Sequence, residues 1–444
     1  MSYEQLKTVS LISLIGLSLF LTYQLWTYQP NMQALESEQS ESVQADDTIG
    51  EELDPIQLIK PDQVVLHQGA NTYALIEKTS ERYENLLREF TNHELIESVE
   101  TEDVLASEGI EVSFPDHIPV SYLLRAFEGE FNTFSLSEVD RLFFYISSDT
   151  DQVNVQMASN QQEQVVTVRT SISADLLEEH LYKEDAEGEL NAIIAKEIDT
   201  NQMLLRERIY VSTERQVVPS YSQYQIRKYE DVEISVINQR LFNSTDVPRQ
   251  NQLNGENLYT DGSRIVTIDN FITYLNYSYP FVAESPESSS RHILDVAVEF
   301  INYTGAWTDD YALSNWASKE TGETIDFRMQ LNGLPVFERG MPNNDRMRIS
   351  LSRVGTQVVN LQRPLFFLYG NPLQDYDKSM PSGEVVVESI KQANPTEWEE
   401  SVTNVQLVYR ANMENTSYAT FEPTWYYESD GEWKRVPLDE EIPS

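Results

Sequence analysis

Hydrophobic positions in this chain fall into one long uninterrupted run followed by many short alternating ones. The long run, Val9 to Leu25, is uncharged and 17 residues long. A bilayer is spanned by about 20 apolar residues, and Trp26 and Tyr28 extend the run as an interfacial aromatic belt. A secretory signal peptide starts in the same way but closes on small residues at its cleavage site. Here the run passes into Gln24-Leu25-Trp26-Thr27-Tyr28-Gln29-Pro30, which is bulky and ends in proline. The pattern therefore predicts an uncleaved transmembrane helix over residues 9–28. Lys7 precedes it, and after it eight acids come before the first basic residue, Lys60. The positive-inside bias places residues 1–8 in the cytoplasm and the bulk of the chain outside, as a single-pass protein of the cell membrane.

Beyond an acidic stalk over residues 29–55, the patterning predicts an α+β fold: extracytoplasmic domains of antiparallel sheets with packed helices. Breaks in pattern suggest an N-terminal domain over 56–200, a central α+β domain over 201–288 and a C-terminal α+β domain over 289–444. Gln63–His67 and Asn71–Leu75 read as strands, and Ser80–Ser98 as a helix with Tyr83, Leu86, Leu87, Phe90, Leu95 and Ile96 inward. Ile110–Phe127 reads as a strand, a proline-bounded turn and a short helix, and Arg141–Ile172 as a three-strand meander. Helices are expected near Ala174–Leu181, Ala192–Ile198 and Val232–Asn243, and after a Ser382 cap. PSYSQY (Pro219–Tyr224) reads as a turn. Asp261-Gly262, Asn332-Gly333 and Asp430-Gly431 mark hairpins. The two later regions share a helix-plus-strands pattern, but their self-similarity is too weak to count as a repeat.

Charge narrows the partners. With 31 Lys and Arg against 73 Asp and Glu, the chain carries a formal charge of −42. Nucleic acid and anionic lipid faces are poor partners for such a surface. A solvated acidic exterior explains the charge more simply than a site for cations or basic peptides. The absence of cysteine removes disulfides, thiolate metal sites and cysteine nucleophiles together. Roughly 390 residues beyond the stalk, rich in Tyr and Phe, suffice for two or three cores.

Catalytic and cofactor motifs are missing: no G-x-S-x-G elbow, H-E-x-x-H, P-loop or dinucleotide fingerprint occurs. His67, His93, His117, His180 and His292 lack metal-ligand spacing and read as surface or capping residues. Asp149, Asp151 and Asn154 start like a calcium loop but lack its glycine and distal glutamate, so a solvated turn is expected. Asp309-Asp310 would need one desolvated member to divide acid and base roles, and the Thr-Asp-Asp-Tyr context looks exposed. Trp425, Tyr426, Tyr427 and Trp433 could form a stacking platform, though strand alternation assigns half of them to the core. No enzymatic activity, catalytic residue, metal or cofactor is expected.

The anchor ending in Leu25-Trp26-Thr27-Tyr28-Gln29-Pro30 resembles the start of YycH-family proteins. Matches recur in family order at Phe114-Pro115-Asp116-His117-Ile118-Pro119, Leu241-Phe242 and Tyr259-Thr260-Asp261-Gly262-Ser263-Arg264. They continue at Asn332-Gly333-Leu334-Pro335-Val336, Arg363-Pro364-Leu365 and Glu422-Pro423-Thr424-Trp425-Tyr426, so the resemblance spans nearly the whole chain. It implies a three-domain extracytoplasmic structure and a membrane complex with a WalK (YycG) sensor histidine kinase and a YycI-like protein. That complex would adjust kinase output, and so cell-wall metabolism, partly through membrane-helix contacts. Lipid gives helices no hydrophobic reason to associate, so small residues and interhelical hydrogen bonds must serve. Ser13, Gly16, Phe20 and Tyr23 share one arc of the helix, while Ser18 and Thr22 form a small-xxx-small pair on another side. These six are the candidate contacts. The competing expectation is a surface-anchored binding module for a cell-wall or peptide ligand.

Overall fold

A computed structural model gives the architecture. It describes residues 49–438 apart from 70, 100–105, 128–134, 184–187, 199–206, 252–255, 270, 272, 281–289, 320, 341–344 and 414–416. The six candidate membrane-helix contacts, Ser13, Gly16, Ser18, Phe20, Thr22 and Tyr23, lie outside the described residues. Among the described residues, no helix is long and apolar enough to cross a membrane. Thr48–Ser444 forms one compact unit, in which the described residues make two sheets.

The first sheet has nine strands: β1 (Gln63–Gln68), β2 (Tyr73–Ile76), β3 (Leu95–Val99), β4 (Glu108–Pro119), β5 (Glu138–Ile146), β6 (Val153–Ser159), β7 (Gln164–Thr170), β8 (Glu189–Glu197) and β9 (Arg208–Ser212). Their spatial order is β3-β7-β6-β5-β4-β1-β2-β8-β9, all antiparallel. Helices α1 (Glu81–Thr91), α2 (Val120–Ala126) and α3 (Ala174–Leu181) belong to this lobe, with a 3-10 turn over Pro55–Leu58. Register puts Leu66, Ile110, Phe144 and Val155 on one face, where Phe90 of α1 meets Phe144 edge-on at 4.9 Å. The opposite face carries His67, Glu111, Phe143 and Gln156, all buried too. Both faces are therefore buried, and the polar residues that alternate along β4 and β6, such as Glu111 and Gln156, lie inside rather than in solvent.

The second sheet has fifteen strands: β10 (Gln216–Lys228), β11 (Arg249–Asn251), β12 (Asn257–Thr260), β13 (Ile265–Ile268), β14 (Tyr274–Ser278), β15 (Tyr311–Lys319), β16 (Gly322–Leu331), β17 (Leu334–Glu338), β18 (Arg348–Val354), β19 (Gln357–Pro364), β20 (Phe366–Leu368), β21 (Gln374–Met380), β22 (Val402–Asn412), β23 (Tyr418–Ser429) and β24 (Glu432–Arg435). Its main path runs β11-β12-β13-β14-β19-β18-β16-β17-β22-β23-β10-β20, with β15 on β16, β21 on β10 and β24 on β23. One pairing, β17 with β22, is parallel, against the expectation of antiparallel sheets throughout. The helices here are α4 (Asp231–Phe242), α5 (Ile293–Thr304), α6 (Gly383–Ala393) and α7 (Pro395–Glu400).

Several local expectations are corrected by tertiary pairing. The helix from Ser80 stops at Thr91, and Leu95–Val99 instead adds a strand beside β7, leaving Ile96 48% exposed. Ala192–Glu197 falls in strand β8 because β9 pairs along it, with β2 adding a partner on the other side up to Ala192; its β-branched Ile193 and Ile194 suit that setting. The PSYSQY turn is a bulge within β10, with Gln223 at φ 57° and a register shift between Tyr221 and Tyr224. Pro115 likewise sits inside β4, where the register shifts between Ser113 and Ile118.

Candidate functional site

The chain enters the described structure at Ile49, and its first contacts are with the second sheet's lobe. Glu51 N–H donates to Trp307 O at 2.9 Å, and Trp307 N–H returns a bond to Glu51 O at 3.0 Å. Gly50 lies so close to the Trp307 backbone that a Cβ there would collide with it. Asn302 of α5 completes the clamp. Its Oδ1 accepts from Leu53 N (3.2 Å) and Trp307 Nε1 (2.8 Å), and its Nδ2 donates to Leu53 O (2.9 Å). Only after this clamp does the chain turn through Pro55–Leu58 into the first sheet.

Asp62, just before β1, is buried and gathers three donors: Lys78 Nζ at 3.0 Å, Gln406 Nε2 at 2.5 Å and Asn404 Nδ2 at 3.1 Å. The last two come from β22, so a single carboxylate ties the lobes together. Charge-assisted bonds of this kind are worth more than neutral ones. The Asn332-Gly333 hairpin packs against the same place: Gly333, at φ 73°, would put a Cβ 3.0 Å from Lys78 O.

A second contact is aromatic. Trp316 of β15 is nearly buried, its N–H donating to Asp116 Oδ2 and its indole Nε1 to His117 O, both at 2.7 Å. Its ring centroid lies 4.5 Å from those of His117 and His292. Burial alone would lower the His117 pKa, but the hydrogen bond and charge of Asp116, at 2.5 Å, and the charges of Glu138 and Asp140 lift it above the usual value. His292 goes the other way: burial depresses it, aided by the Arg353 charge. It also caps α5, its Nδ1 accepting from Leu294 N at 3.1 Å. On the far side of the seam Lys196 donates to Trp398 O (2.6 Å) and Val402 O (2.9 Å).

Two expectations about titratable groups are overturned. His67 is no surface residue but is 3% exposed, 2.9 Å from Glu111 Oε2, and Tyr210 donates to the same oxygen at 2.9 Å. Burial would raise the Glu111 pKa, yet the bond and charge of His67, with Arg141 and Tyr210, bring it below the ordinary value. Asp309 is not the exposed residue its neighbours suggest but is partly buried. Burial pushes its pKa up to about 6, against opposing bonds from Leu368 N (2.9 Å) and the Thr308 hydroxyl and the charge of Arg363. Asp310 pairs with Lys60 across the seam instead. The two carboxylates are thus separated in environment, but each is engaged in structure. Trp425 and Tyr427 are buried, whereas Tyr426 stacks on Phe337 at 5.3 Å with Trp433 beside it, so the four aromatics do not form one open platform. Among the described residues, no cluster of three or more His, Asp or Glu could hold a metal ion.

The clamp and the seam were beyond sequence reasoning, since Asp116 and Trp316 stand 200 positions apart and Asp62 and Gln406 stand 344 apart. The phrases around Asp116 and Gly333 were visible, and their seam position explains the need for a bulged strand in one and a tight glycine turn in the other.

Comparison with known proteins agrees along the whole length. The profile described as YycH protein, N-terminal domain, matches residues 4–186, and YycH protein, C-terminal domain, matches residues 206–441. The chain is 17% identical over 465 aligned positions to the two-component system WalR/WalK regulatory protein YycH of Bacillus subtilis (strain 168), covering 100% of this chain and 98% of that protein. The crystal structure of YycH from Bacillus subtilis superposes with a TM-score of 0.67 at 13% identity, over 88% of this chain and 99% of that one.

Proposed function

Because the chain belongs to the YycH family, we propose that it is a membrane-anchored accessory protein regulating a WalK/YycG-type sensor histidine kinase. It does so with a YycI-like partner, affects cell-wall metabolism, and performs no catalysis of its own. The observation that carries this reading is the end-to-end match to a regulatory protein of the WalR/WalK system. The clamp supports it physically: Glu51 and Leu53 are held by Trp307 and Asn302 of the second sheet's lobe at the point where the described chain begins. Residues 9–28 are the anchor, with residues 1–8 cytoplasmic and the lobes outside. A conformational bias reaches the kinase only if contacts differ between its signalling states.

A second reading, a surface-anchored binding module for a cell-wall or peptide ligand, draws on a cleft of about 1050 Å³ beside the clamp, lined by Tyr277, Tyr279, Phe300 and Arg264 among others. The two readings separate on the anchor. The full-length chain and a version with Val9–Leu25 replaced by an unrelated polyleucine-based span are captured from native membranes. Recovery of a sensor kinase with the natural helix but not the substitute is the expected result. Recovery with both moves the contact to the outer lobes, and recovery with neither favours the binding module. Gly16→Leu should weaken capture without altering insertion; unchanged capture removes Ser13 and Gly16 as the contact face.

A further inference from the structure

The N-terminal lobe contains a surface-opening space that its own core leaves unfilled. It lies between the helix-bearing face of the first sheet, the Pro55–Leu58 turn, α1 and α2, and its volume is about 160 Å³. Leu87, Phe90, Val112, Phe114, Leu123 and Phe144 are among its walls. Polar groups at the lining are few: the Thr91 hydroxyl donates to Leu87 O at 2.9 Å, Pro61 O accepts the Tyr83 hydroxyl at 2.9 Å, and the Tyr122 hydroxyl is left without a hydrogen-bond partner. A trapped water needs two to four polar partners, which this lining does not offer. Protein interiors are close-packed with few voids larger than water, and an apolar cavity of about 150 Å³ stays dry and takes benzene or xenon. Ile59, Leu87 and Phe114 are only half-buried, giving the space a mouth at the surface.

We propose that this cavity binds the end of a saturated hydrocarbon chain, the terminal segment of an acyl chain. A predominantly apolar wall with a mouth at the surface favours hydrocarbon over a polar ligand, and the volume admits a chain end rather than a sterol or a folded lipid. The turn roofing the cavity is capped by Asp54, whose neighbour Leu53 is held in the Asn302 clamp. Occupancy therefore acts on the segment by which the chain enters the lobes.

Methyl-labelled full-length protein in nanodiscs is titrated with benzene and separately with decanoate. A third sample carries nanodisc lipids with a paramagnetic label at the acyl terminus. Saturable shifts at the Leu87, Val112 and Leu123 methyls, with Val217 and Val385 unmoved, are expected. Ala126→Leu and Leu87→Phe both fill the space, and whichever folds should bind at least about tenfold more weakly. Broadening in the labelled-lipid sample identifies membrane lipid as the source; response to decanoate alone identifies a free fatty acid. No saturable response to either hydrocarbon overturns the proposal. So does undiminished binding by a folded filled variant, and so do benzene shifts without any acyl response.

Discussion

Asp309 holds a carboxyl group where ionisation is poorly solvated, which puts a pH-dependent load on the fold. Its folded pKa is pushed up to about 6 from the usual 3.8, chiefly by burial. A raised acid binds its proton more tightly in the folded state. Its contribution to stability is therefore complete below about pH 4 and is lost as pH rises through about 6. Two pKa units correspond to about 3 kcal/mol; Asp309 keeps some solvent contact, so about 2 kcal/mol is the expectation. Asp309→Asn removes the ionisation and keeps a carbonyl oxygen for Leu368 N, while the Thr308 hydroxyl can rotate to accept from the new amide. The variant should thus match the parent at pH 4 and exceed it by about 2 kcal/mol at pH 7.5, with the gain appearing between pH 4 and 6. Urea titrations of both full-length proteins in mild detergent, followed by tryptophan fluorescence across that range, measure the difference directly, and other titrating groups cancel. A gain that stays flat with pH would refute the desolvation argument, and so would a loss at pH 7.5.

Other consequences follow from the seam and the clamp. Trp316→Ala should cost about 3–5 kcal/mol in the same assay, whereas Trp316→Phe, which keeps an aromatic ring but loses the bond to His117 O and part of the indole volume, should cost less, about 2 kcal/mol; equal costs would show that ring packing carries nothing. In NMR titrations His117 should titrate above the ordinary histidine value and His292 below it, and Asp116→Asn should bring His117 down. The sign follows: His117 stabilises the fold below about pH 6.5 and stops doing so as pH rises through its folded pKa, while His292 does the reverse. Gly50→Val should break the Glu51–Trp307 bridge and open residues 49–55 to proteolysis without lowering the melting temperature of the lobes; unchanged cleavage would mean that the clamp rests on Asn302 alone.

Elements whose local pattern and tertiary setting agree could be read from the sequence. The meander over Arg141–Ile172, the helices at Ala174–Leu181 and Asp231–Phe242, and the Asn332-Gly333 turn all appear where their periodicity or turn chemistry puts them. Misreadings arose where a neighbour distant in sequence decided the outcome. Ala192–Ile198 has no strand alternation strong enough to announce itself, and β2 and β9 supply its partners. Asp309 looked exposed because its immediate neighbours are polar; its desolvation comes from β20 and the region of Arg363, which lie some fifty positions onward. His67 faces Glu111 and Tyr210, two residues that nothing near His67 foretells.

The seam's chemistry bears on how such a body could pass on a signal. An apolar interface tolerates sliding, because hydrophobic burial is non-directional. Here the lobes meet through Asp62 with its three donors and through Trp316 with two directed hydrogen bonds. Breaking any one of these strands a buried polar group at a cost of about 1–3 kcal/mol, so shear between the lobes is expensive and one arrangement is specified. The lobes are then held as one rigid body, to which Asn302 and Trp307 also fasten residues 51–53. The contacts between the lobes therefore favour movement of both together over sliding of one on the other, and the seam between them is built to stay shut.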